Sequence, residues 1–385
     1  MKIAITSDFF YPSIGGIEKH IEGFAKTLSN VGFDVTIITS REREDFNDNQ
    51  FNFKVIRLGC IHIPTINIMA LRRYYSLLND ILRINSFDLI HAHHAFTPTS
   101  LFSIEIASKL KIPSVLTAHS LSYGYTNKKL WSIASKFMKP IKEYYTHVNK
   151  IIAVSNAVKD FMLLLYDEEE KITVIPNGID TKEYYPFIKR KELFREELNL
   201  NHDEINFLFV GRLVLRKGLH ILIEGFKILL KELPNVRLFI IGDGYLKYWL
   251  LQIISQNGLK NKVNYLGKLN DDEKKKYLVA SDVLVVPSID AEAFGIVTLE
   301  GFATATPVIG TRVGGLSEII EHGRNGILVD PSNPYSLATA MYHLAIDDKL
   351  RKQLGKNGLQ DAKKKYDWKV IIKKIIEVYD AIVIS

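Results

Sequence analysis

"KIAITSDFFYPSIGGIEKHIEGFAKTL", residues 2–28, sets an apolar run, a turn holding one proline and two adjacent glycines, and an amphipathic helical pattern in direct succession. The first run is short, rich in β-branched residues and apolar throughout, as in a strand covered on both faces. In the last run Ile17, Ile21, Phe24, Ala25 and Leu28 share one helical face, and Gly32 then ends the helix. A strand passing straight into a helix is half of a βαβ unit, and right-handed crossovers build such halves into a parallel sheet.

The same unit recurs outward from this stretch. "DVTIIT", "FKVIRL", "FDLIHAH", "PSVLTAH" and "KIIAVS" read as further buried strands, with helical patterns between most of them. From about residue 180 the series restarts with "NFLFVG", "VRLFIIGD", "KVNYLG", "DVLVVPS", "PVIGT" and "GILVD". Between the series, "VIPNGIDTKEYYP" reads as a turn-rich connector. The fold expected is α/β, with two facing Rossmann-like, doubly wound parallel-sheet domains over residues 1–178 and 179–366. Ligands in such sheets bind at the carboxyl ends of the strands near the switch in strand order, so the cleft between the two domains is the expected site.

Composition narrows the function. The chain has 385 residues, 47% hydrophobic and 24% charged, which is a globular balance. No apolar run reaches the roughly 18 residues that a membrane span requires. "MKIAITSDFF" is too short and too acidic for a signal peptide, so a cytoplasmic chain is expected. Cys60 is the only cysteine, which excludes an internal disulfide and a cysteine metal cage. The net charge of +7 invites anionic partners, but no basic stripe carries interleaved base-stacking aromatics, and no nucleic acid is expected. "KKLWSIASKFMKPIKEYY", Lys128 to Tyr145, holds five lysines against Glu143 alone. It reads either as a helix lying on an anionic membrane surface or as a solvated helix packed on its own domain. Pro140 is expected to kink or break that helix near its end.

Four groups of residues could carry chemistry. Gly15 and Gly16, at the mouth of the first helix, let backbone N–H groups approach an anion, although a Gly-Gly turn also serves packing alone. In "FVGRLVLRKGLHILIEGF", Arg212 and Lys217 flank the end of a strand, and Gly218 opens the next helix. A guanidinium fork beside an ammonium suits a diphosphate. "PSIDAEAFGIVTLEGFATATPVIGTRVGG" holds Glu292 on a loop, then Phe294-Gly295, then Glu300 inside the helix that follows. Two carboxylates so placed suit vicinal sugar hydroxyls. His119, directly after a strand, can donate to a sugar hydroxyl. "HAHH", residues 91–94, tempts a metal assignment but lacks a third ligand in sequence, and no D-x-D occurs, so no metal is expected. The loop after the first strand is not G-x-G-x-x-G, which argues against a nicotinamide oxidoreductase.

Taken together, "FYPSIGGIEKH", "IHAHH", "TAHS", "AVSNAV", "VIPNGID", "VGRLVLRKG", "IIGDG", "LGKLNDDE" and the glutamate-bearing stretch resemble, in order and over nearly the whole chain, the GT-B retaining glycosyltransferases of family 4 (group 1). Glu292 and Glu300, seven residues between them, match that family's E-x7-E element. The resemblance implies a nucleotide-sugar-binding second domain and an acceptor-binding first domain, to which a final helix over about 367–385 crosses back. It implies that Gly15, Gly16, Arg212 and Lys217 hold the donor diphosphate, and that Glu300 accepts from ribose hydroxyls. Glu292 with Phe294 and Gly295 would face the donor sugar, and His119 would lie beside the reacting centre. Gly242, Gly244, Lys268 and Leu269 would line the nucleoside pocket.

No carboxylate is an evident nucleophile, so front-face substitution is the expected mechanism, with a nucleotide-sugar as co-substrate and no cofactor. "SDFFYPSIGGIEKHI" with "TAHSLSYG" is most similar to the phosphatidylinositol N-acetylglucosaminyltransferase catalytic subunits, which implies UDP-GlcNAc or another UDP-hexose and a lipid or glycan acceptor. The sequence departs from them in Ala118, where an acidic residue is common, and in lacking their C-terminal membrane segment. Membrane contact, peripheral and on the inner face, would then rest on Lys128–Tyr145. The alternative is a non-catalytic sugar-nucleotide-binding subunit of a transferase complex.

Overall fold

The computed structural model describes residues 1–12, 15–40, 47–59, 68–122, 124–125, 127, 131 and 138–383. Two compact units result. One comprises Met1–Gly178 together with Trp368–Ser385, the other Ile179–Asp367. Cys60 and most of the basic stretch, residues 128–130 and 132–137, lie outside the described residues. Among the described residues no helix is long and apolar enough to cross a membrane.

Among the described residues the first unit has seven strands: β1 (Lys2–Ser7), β2 (Asp34–Ser40), β3 (Lys54–Leu58), β4 (Leu89–His93), β5 (Ser114–Ala118), β6 (Lys150–Ala153) and β7 (Ile172–Val174). All run parallel in the order β3-β2-β1-β4-β5-β6-β7, so strand order reverses between β1 and β4. Among the described residues its named helices are α1 (Gly16–Asn30), α2 (Ile68–Ile84), α3 (Pro98–Leu110), α4 (Lys139–Thr146) and α5 (Asn156–Leu163). The side-chain period of two divides β1 between cores. Ile3 and Ile5 pack with Phe24 and Leu28 of α1, whereas Ala4 faces Leu78 and Leu82 of α2.

The second unit has helices α6 (Thr181–Ile188), α7 (Lys191–Glu197), α8 (Leu219–Glu232), α9 (Lys247–Gln256) and α10 (Asp271–Ala280). It continues with α11 (Ile296–Ala303), α12 (Leu316–Ile319), α13 (Pro334–Ile346) and α14 (Asp348–Asp361). They cover a parallel sheet of β8 (Ile205–Val210), β9 (Val236–Ile241), β10 (Val263–Gly267), β11 (Val283–Val286), β12 (Val308–Thr311) and β13 (Gly326–Val329). Its order is β10-β9-β8-β11-β12-β13, reversing between β8 and β11. The last helix, α15 (Trp368–Val383), belongs to the first unit: Trp368 lies against Gly23 of α1, and Ile371, Ile375 and Tyr379 join the Ile3–Phe24 core.

Pro140 stands in the first turn of α4, and residues 132–137, which precede that helix, lie outside the described ones. A proline there forfeits an N–H that has no intrahelical partner anyway, and its fixed φ already suits a helix. The connector read over residues 174–186 is only partly turn, since β7 precedes it and α6 takes up its second half. Asp180 caps α6 by accepting from the Lys182 amide at 3.0 Å, and that cap outweighs the turn-like composition around it.

Candidate active site

In the second unit the site grows from the loops that leave β8 and β11, neighbours at the reversal of strand order. The loop after β8 carries Arg212, then a short 3-10 turn over Leu215–Lys217, then Gly218 at the start of α8. The loop after β11 carries Ser288, Ile289 and Glu292. The two are tied together by the Ile289 amide, which donates to Arg216 O at 2.9 Å. The contact brings Lys217 Nζ to 2.5 Å from Glu292 Oε2, and Ser288 Oγ donates to the same oxygen at 2.7 Å. Glu292 is 6% exposed.

Burial alone would push the Glu292 carboxyl up. The Lys217 ammonium, with Ser288 and the more distant Arg216, outweighs it and holds the group below the usual carboxylate value. Glu292 therefore stays an anion, with both of these partners on Oε2. Arg212 is exposed, and its guanidinium meets no carboxylate among the described residues.

Gly295 caps α11 at φ +88°, and Glu300 lies in the second turn of that helix, buried. Its Oε1 accepts from Lys274 Nζ at 2.8 Å and from the Tyr184 hydroxyl at 3.3 Å. Burial first, and then the Glu300 charge, lift the Tyr184 hydroxyl well above its ordinary value. Phe294 is buried against Tyr366. The remaining expected residues meet at the ends of β8, β9 and β10: the Gly242 amide donates to Gly267 O at 2.8 Å, and Leu213 N to Asp243 O at 2.8 Å, one residue from Gly244. Lys268 is exposed and Leu269 half-buried just beyond.

In the first unit, Gly15 caps α1 with extended backbone and no side-chain hydrogen bond. The space beside it is filled by the chain itself, because Glu18 Oε2 lies 2.5 Å from where a Cβ on Gly15 would stand. Gly16, exposed, follows as the first helical residue. His119 leaves β5 and is 8% exposed, within a cluster that sequence reasoning did not assemble. His93 Nδ1 and His119 Nε2 share a hydrogen bond at 3.0 Å, and the His20 ring stands edge-on to His119 at 4.7 Å. Burial holds His20 and His91 neutral down to about pH 3. The signals were present: His20 continues the Ile17–Ile21–Phe24 face of α1, and alternation puts His91 and His93 on one face of β4.

One nitrogen each from His20, His93 and His119 lies within 4.8 Å of the others, close enough to raise the question of a metal. The His93 and His119 nitrogens, however, are only 3.0 Å apart with their rings 15° from parallel. Two bonds of about 2.0–2.1 Å to an ion such as zinc do not fit along that line, so the rings as placed are hydrogen-bonded partners and not a ready chelate.

Comparison with known proteins identifies the family. Residues 190–361 match the family model of the glycosyl transferases group 1, and residues 14–183 that of glycosyltransferase family 4. An uncharacterized glycosyltransferase of Methanocaldococcus jannaschii is 33% identical over 386 residues, covering 98% of either chain. The phosphatidylinositol N-acetylglucosaminyltransferase GPI3 subunit of Saccharomyces cerevisiae is 26% identical over 98% of this chain and 82% of its own. Among solved structures, HepE of Anabaena in complex with UDP and glucose has a TM-score of 0.79 at 23% identity, covering 99% of this chain and 100% of that one. With twin parallel sheets of GT-B type, both halves matched by family models and a relative alike from end to end, the chain belongs to the group 1, family 4 glycosyltransferases.

Proposed function

We propose that the protein is a retaining, metal-independent transferase moving a hexosyl or N-acetylhexosaminyl group from a UDP-sugar, UDP-GlcNAc favoured, to a hydroxyl of a membrane lipid or lipid-linked glycan. The observation that carries the reading is the pair of the half-buried Lys217 and the buried Glu292, with Arg212 uncommitted on the same loop. A diphosphate meets Arg212 as a free guanidinium and draws on Lys217 as its second cation. Both stabilise the negative charge that grows on the departing diphosphate, which is the task a divalent ion would otherwise perform. Removing one such preorganised donor costs about 2.7–4 kcal/mol of barrier.

Glu292 Oε1 carries no hydrogen bond among the described residues, and its ionised state makes it an acceptor only, suited to donor-sugar hydroxyls beside the Phe294-Gly295 backbone. Glu300 is assigned to the ribose, and Gly242, Gly244, Lys268 and Leu269 to the nucleoside. His119 is assigned to the reacting sugar. The Gly15-Gly16 amides are assigned to the diphosphate, which requires the Glu18 carboxylate to move aside. With Glu292 tied down through Oε2 and assigned to the sugar hydroxyls and not to the anomeric carbon, the leaving phosphate itself helps deprotonate the incoming hydroxyl on the same face. UDP in the HepE complex and phosphatidylinositol in the yeast relative's name support the choice of donor base and acceptor class.

The experiment is transfer of labelled sugar from UDP-GlcNAc, UDP-Glc and GDP-Man into organic-extractable lipid, with a chelator present. Label in lipid from a UDP-sugar is the expected result. Transfer that the chelator abolishes overturns metal independence, and label that stays in the aqueous phase overturns the lipid acceptor. Neither nucleotide release nor transfer from any donor overturns catalysis in favour of a non-catalytic subunit.

A further inference from the structure

One proton lies between His93 and His119, and its position decides what His119 can offer a ligand. The two ring centroids are 5.3 Å apart, the N···N distance is 3.0 Å and the planes differ by 15°. The centroid separation equals the N···N contact plus the two ring radii, which requires both radii to lie along the contact. The hydrogen bond is therefore linear, an N–H of one ring aimed at the lone pair of the other. Burial keeps both rings neutral, so each holds a single proton.

Two arrangements satisfy that bond. With the proton on His119 Nε2, His93 must carry its own on Nε2, which is buried and has no acceptor among the described residues. A stranded N–H donor in a dry interior is among the rarest features of folded proteins. With the proton on His93 Nδ1, His93 Nε2 is a bare lone pair, and His119 carries its proton on Nδ1. That nitrogen forms no hydrogen bond among the described residues. His93 is itself held on its other side: His91 stacks on it at 4.4 Å, and His91 is fixed by the Tyr379 hydroxyl and Thr117 Oγ1, each at 2.6 Å.

We propose that His93 is a positioning residue which, by donating from Nδ1, fixes His119 as the Nδ1–H tautomer and so makes it a hydrogen-bond donor to an oxygen of the bound sugar. The inference rests on the assignment of His119 to the reacting sugar made above. It gives that residue a direction: His119 donates and does not accept. Through His91 and Tyr379, the C-terminal helix α15 supports the same orientation.

The test is a long-range 1H–15N spectrum of the full-length protein at neutral pH, with a His119→Phe spectrum to assign the ring, alongside donor turnover. His119 is expected as a single Nδ1–H tautomer in the wild type. It should remain so in His93→Asn, whose amide N–H lies near the former imidazole Nδ1, and that variant should keep most of the turnover. In His93→Leu the tautomers should mix, and kcat should fall about tenfold or more with KM for the donor little changed. An Nε2–H His119 in the wild type, or full turnover in His93→Leu, overturns the proposal. Undiminished turnover in His119→Phe overturns the parent assignment instead, while the spectrum still decides which nitrogen carries the proton.

Discussion

At the scale of single residues, the Lys217–Glu292 pair separates stability from catalysis. Lys217→Ala leaves a carboxylate stranded in a site where the two side chains are 17% and 8% exposed. Breaking a buried pair from one side costs about 3–5 kcal/mol, so a clear drop in melting temperature is expected together with a loss of turnover of about 10²–10³-fold. Adding Glu292→Gln to that variant removes the stranded charge. Calorimetry should then show much of the stability restored while turnover stays low; a double variant no more stable than Lys217→Ala would mean the pair is not buried as described. The pH dependence has a definite sign. Glu292 is held below its ordinary value of 4.5 in the folded protein, so its share of stability is present above that pH and is lost as pH falls through the folded-state value. The gap in melting temperature between wild type and Glu292→Gln is thus expected to be widest near neutrality and to close in acid. A gap that widens in acid would contradict the direction of the shift.

At the scale of elements, the joint between the β8 and β11 loops depends on Gly218. Its φ is +70°, and a Cβ there would meet the Pro287 carbonyl oxygen at 1.9 Å. Gly258, after α9, has φ +67° with nothing within 4 Å, so it isolates the backbone preference alone. Gly258→Ala should cost only about 1–2 kcal/mol and leave turnover intact, whereas Gly218→Ala should cost more and also lower turnover by displacing Lys217 from Glu292. Equal effects of the two would show that the loops do not depend on that approach. The strands of both sheets were legible because parallel strands covered on both faces are continuous apolar runs bounded by turn residues. The start of α4 was not, because a proline both breaks a helix interior and suits a first turn, and the sequence pattern does not say which. The glutamate pair was legible by spacing. Its partners Lys217, Lys274 and Tyr184 were not matched to it, since each comes from a different element and only the strand order brings them together.

At the scale of the whole molecule, chain order and packing disagree: α15 follows the second unit in sequence and completes the first in space. Its amphipathicity was plain in the sequence, but amphipathicity does not say which face it will meet. The second unit closes on itself, because the Ile179 amide donates to Tyr366 O at 2.8 Å and Thr181 Oγ1 to Asp367 Oδ2 at 2.5 Å, pinning its two ends together. The first unit lacks that independence. Trp368, Ile371, Ile372, Ile375 and Tyr379 are core residues of its sheet, and at about 1.5–3 kcal/mol apiece their burial rivals the whole stability of an ordinary domain, about 5–15 kcal/mol. A fragment of residues 179–367 is therefore expected to unfold in one cooperative transition and to bind UDP while transferring no sugar. A fragment of residues 1–178 is expected to stay unfolded until a peptide of residues 368–385 is supplied in trans, which restores a cooperative melt and the hydrogen bond between His91 and Tyr379. Cooperative folding of residues 1–178 without the peptide would show that α15 only decorates the first sheet, and failure of the 179–367 fragment to bind UDP would remove the nucleoside assignment from the second unit.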